Sequence, residues 1–165
     1  FGSKELLYEE ACKHELDGFF SAVEQRLRAV PAQQRSPDLL AEAIFDAWLG
    51  NPNPLLLANR DVINAQAFPD RWLSETHYSR MTALIRKLCS AYFAMDVDED
   101  TCFGFAATAF GVGSMLIIDQ RFSMVRNPGQ DAAATNENLR RKRAILVRCC
   151  QALLSTASAC GSSKP

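Results

Sequence analysis

Residues 102–118 read CFGFAATAFGVGSMLII and form the longest apolar stretch in this chain of 165 residues. The stretch lacks the apolar–polar alternation of a half-buried strand, and on a helix its side chains cover nearly every face. Many of them are alanine or glycine and Asp119 ends the run, so a membrane span is not predicted. A helix that is apolar all round must be buried all round, which makes this segment the centre of the predicted fold.

Two interpretations of this helix remain open, a central core helix of a monomer and an interface helix that a second copy covers. Alanine and glycine allow helices to approach closely, and the next helix adds an apolar seam, so we expect the two helices to form a four-helix interface in a homodimer. The predicted interface residues are Phe103, Ala107, Phe110, Ser114, Ile117, Leu139, Leu146, Cys150 and Leu153.

Start and stop signals divide the sequence before this stretch into four helices. Ser3 caps the first, Pro31 stops it, and Gly18 in its middle predicts a bend or close packing. Ser36-Pro37-Asp38 starts the second, which ends at Gly50. The third is predicted from Leu55 to about Ala65 and the fourth from about Asp70 to Met95.

The two helices that contain the interface residues carry signals of their own. Asp96 and Glu99 form a predicted capping box for the fifth helix, which extends to about Met124. Thr135 or Asn136 caps the sixth, which extends to about Ser158. No long stretch alternates in the manner of a strand, so the predicted class is all-α, a single bundle of about six helices.

Composition excludes several classes of protein. The net charge of −1 does not predict a nucleic-acid-binding chain. About a fifth of the residues are charged, which is ordinary for a globular domain. The chain has six cysteines but no C-x-x-C pair, so we expect buried reduced thiols rather than a disulfide scaffold. No secretory leader is recognisable, and the first residue, Phe1, suggests that the sequence begins inside a longer gene product.

The first seven residues, Phe1-Gly2-Ser3-Lys4-Glu5-Leu6-Leu7, carry the most specific signal. They resemble the F-G-S-K-E-x-L segment of TetR-family transcriptional regulators, where it joins the helix-turn-helix head to the long first helix of the body. The resemblance implies that residues 1–7 are the junction from a missing DNA-binding head, that 3–158 form the effector-binding and dimerisation domain and that 159–165 are a flexible tail. It also implies a C-terminal body of the TetR type whose last two helices pair with their copies.

The function implied by this resemblance is a ligand-responsive repressor in the bacterial cytoplasm. Lys4 would contact the DNA phosphates, since a capped helix N-terminus beside a cation attracts phosphate. The partners would be a second copy of the chain, a small effector and, in the full-length protein only, operator DNA. The resemblance implies no enzyme activity, cofactor, metal or membrane partner.

The effector would bind inside the bundle, where aromatic walls and a few polar groups typically form a pocket. Movement of the first helix would then separate the two heads and release DNA. Each candidate also has an ordinary interpretation, the core for an aromatic side chain and a satisfied or exposed position for a histidine. The predicted ligand-binding residues are His14, Phe45, Trp48, Asn59, Trp72, His77, Tyr78, Met81 and Phe110.

Other functions have weaker support in the sequence. A di-iron enzyme needs Glu-x-x-His pairs, and neither His14 nor His77 has an acid three residues before it. Gly111-Val112-Gly113 lacks the third glycine and the preceding strand of a dinucleotide-binding loop. A helical dimeric adaptor without a ligand stays open as the alternative. The basic cluster of the sixth helix, interpreted as a solvated face, consists of Arg140, Arg141, Lys142, Arg143 and Arg148.

Overall fold

The computed structural model describes residues 3–57, 78–126 and 132–161, and within these ranges no strand occurs. This confirms the predicted all-α class. The helices are α1 (Lys4–Arg28), α2 (Asp38–Gly50), α3 (53–57), α4 (Tyr78–Phe93), α5 (Glu99–Arg126) and α6 (Ala132–Gly161), with a 3₁₀ turn over Ala32–Gln34 between α1 and α2.

The long helix α1 begins where the sequence predicted. Ser3 has extended backbone angles, and its Oγ accepts a hydrogen bond from the Leu6 amide at 3.2 Å. The close packing expected at Gly18 is wrong, because a methyl group built there meets no atom within 4 Å. The buried face of α1 carries apolar residues at helical spacing, Cys12, Leu16, Phe19, Val23 and Leu27.

The helix α2 is the most apolar of the shorter helices and crosses the middle of the molecule. Its first turn is closed by backbone hydrogen bonds from Leu39 to the Ser36 carbonyl and from Leu40 to the Pro37 carbonyl. After Gly50 the chain turns, with Asn51 accepting a hydrogen bond from the Asn53 amide at 3.1 Å, and α3 follows. The rest of the predicted third helix lies outside the described residues.

The connection between α4 and α5 corrects one predicted helix start. Asp98, and not Asp96, caps α5, since its carboxylate accepts hydrogen bonds from the Thr101 amide at 2.7 Å and hydroxyl at 3.1 Å. Ala94 ends α4 in the left-handed region at φ 51°, a conformation that the Met95 amide supports by donating to the Cys89 carbonyl.

The helix α6 begins before the predicted cap and continues beyond the predicted end. It is already helical at Ala132, so neither Thr135 nor Asn136 is its N-cap, and it extends to Gly161 rather than to Ser158. Alanine favours helix strongly, which explains why the run of alanines before Thr135 joins the helix instead of the loop.

The helices pack into one bundle around a continuous apolar core. The helix α5 packs against α4 on one side and α6 on the other, while α2 contacts α1, α5 and α6. A smaller contact joins α1 to α4. The bulkiest fully buried side chains come from all six described helices, so the core is shared: Leu16, Phe19, Leu27, Leu40, Phe45, Trp48, Leu55, Met81, Ile85, Leu88, Phe105 and Leu146.

Candidate functional site

An aromatic cluster lies where α1, α2 and α5 meet. The Trp48 ring of α2 stacks on Phe19 of α1, with ring centroids 5.6 Å apart and an interplanar angle of 19°. The Phe110 ring of α5 meets the same indole edge-on at 5.4 Å. Trp48 therefore contacts both the long first helix and the apolar fifth helix.

Gly113 makes room for this tryptophan in α5. A methyl group built on Gly113 would lie 1.8 Å from Cζ3 of Trp48, so any larger residue there would force the indole to move. The contact explains the glycine better than the dinucleotide motif rejected above. Since Cζ3 is the ring atom opposite the carbon that carries Nε1, the indole N–H points away from α5.

The Trp48 N–H is a buried donor without an acceptor. The side chain is fully buried, and Nε1 has no hydrogen-bond partner. Buried polar groups in folded proteins are nearly always paired, because leaving one unsatisfied costs about 1–3 kcal/mol. This orphaned donor sits among apolar neighbours, and in the described part of the chain Nε of Arg143 is a second buried donor without a partner.

The predicted ligand-binding residues divide into three groups. Phe45, Trp48, Met81 and Phe110 are buried in the common core. His14 is exposed on α1, away from the buried stripe of that helix. Tyr78 is the first residue of α4, but its side chain is outside the described part, as are the residues Asn59, Trp72 and His77.

An open groove of about 560 Å³ lies elsewhere, between the start of α2, the end of α4 and α6. Its apolar walls include Met95 and Leu154, and its charged groups are Asp38 and Arg148. None of the predicted ligand-binding residues whose side chains are described, His14, Phe45, Trp48, Met81 and Phe110, lines it. No local sequence pattern predicts this groove, because its residues come from three separate segments of the chain.

The predicted dimer residues also differ in exposure. Phe110, Ser114, Ile117, Leu146 and Cys150 are buried by this chain itself. Ala107, Leu139 and Leu153 are half-buried, and Phe103 is 51% exposed.

An exposed apolar stripe runs along α5 through positions 103, 107, 111 and 115, four residues apart, so they share one face. Met115, which is not among the predicted dimer residues, is 73% exposed and is the most exposed large apolar side chain of this stripe. Alanine and glycine separate it from Phe103. We call this surface the α5 stripe.

The interpretation of the basic cluster as a solvated face is wrong for two of its members. Lys142 is buried between α5 and α6, where its Nζ contacts Asp119 at 2.7 Å and Gln120 at 3.0 Å. Arg143 donates a hydrogen bond to Asp46 of α2, which also lies 3.7 Å from Arg26 of α1. These side chains fix the position of α6, and helical periodicity alone did not distinguish them from their exposed neighbours.

A polar network fastens the end of α1 to α4. The Tyr92 hydroxyl accepts a hydrogen bond from Arg28 at 3.0 Å and donates to Glu24 at 3.2 Å, while Arg28 pairs with Glu24 at 2.8 Å. The Arg28 hydrogen bond, with a further contribution from Tyr92, lowers the pKa of Glu24 below its ordinary value. The Arg35 guanidinium lies 5.1 Å from the centroid of the Tyr92 ring.

The opposite end of α1 is exposed. Lys4 lies on the surface in the first turn, and Leu6 and Leu7 are about half exposed. The α1 helix therefore packs against the bundle over its later turns, from Cys12 onward, and its first turns are largely exposed to solvent.

The burial predicted for the cysteines is confirmed for Cys12, Cys89, Cys102 and Cys150. Burial raises the pKa of the Cys89 and Cys150 thiols to about 12, so both stay protonated and unreactive at neutral pH. In the described ranges no group of histidine, cysteine and acidic side chains has the arrangement of a metal site.

Comparison with known proteins adds no relative. No family model, no curated protein and no solved structure matches this chain. Among the described helices, α5 is long and apolar enough over 99–120 to span a membrane by length and composition, a test that core helices of soluble proteins also pass.

Proposed function

We propose that this chain is the effector-binding and dimerisation part of a ligand-responsive transcriptional repressor of the TetR type. The observation that carries the proposal is the position of Trp48. It contacts Phe19 of α1 and fills the space beside Gly113 of α5, so one interior residue connects the helix that would lead to DNA with the helix that would meet a second copy.

The two ends of this connection fit the proposed roles. The start of α1 has the capped N-terminus and the exposed Lys4 that would contact DNA phosphates. The α5 stripe presents exposed apolar side chains next to small residues, which favours close helix contact with a copy of itself. A ligand that prefers one arrangement of the core would shift the position of Lys4 by its differential affinity for the two states.

The experiment joins the chain to the residues that precede Phe1 in its gene and measures binding to duplex fragments from the flanking DNA. We expect salt-dependent, sequence-selective binding that replacement of Lys4 by alanine weakens for all sequences alike. Lys13→Ala, an exposed lysine further along α1, is the matched control. Absence of a DNA-binding segment upstream, or equal binding to all duplexes, would contradict the proposal.

A helical adaptor without a ligand is the second candidate, and the close packing around Trp48 favours it. Phe19, Trp48 and Phe105 are each 2% exposed or less, as expected for a core built only for stability. An adaptor would associate through the α5 stripe but would not bind DNA with its upstream residues restored.

A further inference from the structure

We infer that the groove between α2, α4 and α6 binds a short zwitterion of the size of an apolar dipeptide, with its ammonium group at Asp38 and its carboxylate at Arg148. The inference goes beyond the proposed function, because a repressor and an adaptor could each carry such a site. Its starting point is the volume of the groove, about 560 Å³, which is in the usual range of small-molecule sites.

The packing of α2 against α6 brings the two charges to one groove. Arg143 of α6 contacts Asp46 of α2. Further along α6, Gln151 lines the groove together with Asp38, which comes earlier on α2, so the two helices run antiparallel. Arg148 precedes Gln151 by less than one helical turn. The acidic and the basic side chain therefore lie at neighbouring levels of the same groove.

The protein itself neutralises neither charge. Asp38 and Arg148 form no ion pair with each other, and neither has a charged partner in the described part of the chain. Arg148 donates a hydrogen bond from Nε to the Ala144 carbonyl of its own helix at 3.3 Å, which leaves its terminal nitrogens available. Two opposite charges that line one groove without pairing are complementary to a ligand that carries both.

The rest of the described lining is mostly apolar. Leu154 is buried and Met95 half-buried, and Pro37 and Ala152 add further apolar surface. The apolar part of a ligand would cover these side chains, and a methionine adapts easily to different shapes. Because the groove is open, the charged groups of the ligand keep part of their hydration and avoid the full cost of burying ions.

The test compares four probes that share two leucine side chains. Leucyl-leucine carries both charges, its amide lacks the carboxylate, its N-acetyl derivative lacks the ammonium group, and the N-acetylated amide lacks both. The full chain with labelled methionine methyl groups reports binding through the NMR resonance of Met95, and Met115 on the α5 stripe serves as the reference that should not move.

Leucyl-leucine should bind most tightly. We expect its dissociation constant to be about threefold or more below that of either singly charged probe, the size that solvent-exposed ion pairs allow. The N-acetylated amide should bind weakest. Raising the salt concentration should reduce the differences among the probes, because salt screens exposed charges.

Two substitutions assign the charges separately. Arg148→Gln should abolish the preference for leucyl-leucine over its amide and keep the preference over its N-acetyl derivative, while Asp38→Asn should do the reverse. Arg141→Gln is the matched control, since it removes the same charge from an exposed position of α6 outside the groove and should change neither preference.

The inference is overturned if no probe shifts the Met95 resonance, if all four probes bind equally, or if Arg141→Gln alters the preferences as much as Arg148→Gln. The test requires no DNA, so its failure leaves the proposed repressor function standing. A chain without any DNA-binding activity can equally pass it, which keeps the two outcomes distinguishable.

Discussion

Glu24, Arg28 and Tyr92 allow a prediction at the level of single residues. Replacing Arg28 by alanine should raise the pKa of Glu24 towards its ordinary value, because Arg28 supplies the strongest interaction that lowers it. Carbon NMR titration of the Glu24 carboxylate measures this directly. Lys87→Ala is the control, since Lys87 is the weakest contributor and should move the pKa much less.

The same shift fixes the direction of the pH effect on stability. The pKa of Glu24 is lower in the folded than in the unfolded protein. Ionised Glu24 therefore adds to the free energy of unfolding above the unfolded-state pKa, and this stabilisation is lost as the pH falls through the folded-state pKa. The wild type should therefore lose more stability than Arg28→Ala on acidification in this range. Urea unfolding at several pH values measures this. If the wild type and Arg28→Ala lost the same free energy of unfolding on acidification, the network would make no contribution to stability. The effect should be small, because the group is exposed and screened by solvent.

Gly18 and Gly113 allow a matched pair of predictions about the stability of the fold. Gly18→Ala on α1 should stabilise the fold by about 0.5–1 kcal/mol, since the added methyl meets no neighbour and alanine favours helix. Gly113→Ala on α5 should instead destabilise it by roughly 1–3 kcal/mol, because the methyl would overlap the Trp48 ring. Denaturant unfolding of both variants measures the difference, and two stabilising substitutions would mean that the Trp48 contact is not as described.

The helices show how much of this structure the sequence alone predicts. The existence and the order of the helices were predictable because Ser3, Pro31 and Gly50 mark ends through local backbone chemistry. The predicted start of α5 was wrong because Asp96 and Asp98 are chemically equal as caps, and that of α6 because the alanines before Thr135 were assigned to the loop. The orphaned Trp48 N–H and the burial of Lys142 depend on neighbours distant in sequence, which no local pattern specifies.

Self-association is the prediction for the whole molecule. If the α5 stripe meets a second copy, Met115→Glu should weaken association at least tenfold, because it places a charge in an apolar contact. Met115 is 73% exposed in the single chain, so the substitution should leave the stability of the isolated fold nearly unchanged. Sedimentation equilibrium gives the dissociation constant.

Ala83→Glu provides the control for that experiment, since Ala83 is exposed on α4, away from the stripe. It introduces the same charge and should leave the dissociation constant of the dimer unchanged. A wild-type chain that stays monomeric at its highest soluble concentration would contradict the interface. Equal weakening by both substitutions would attribute the effect to net charge.

Because hydrogen bonds join α1 to α4 at its Arg28 end, a rigid rotation of α1 about that end displaces its opposite end most. Its 25 residues span about 36 Å at the α-helical rise. By simple trigonometry over that length, a tilt of only about 5° around the Tyr92 network carries Lys4 through roughly 3 Å. The same tilt moves Phe19, which stacks on Trp48, by only about 1 Å, and in a symmetric pair the distance between the two Lys4 residues would change by up to twice the displacement of one.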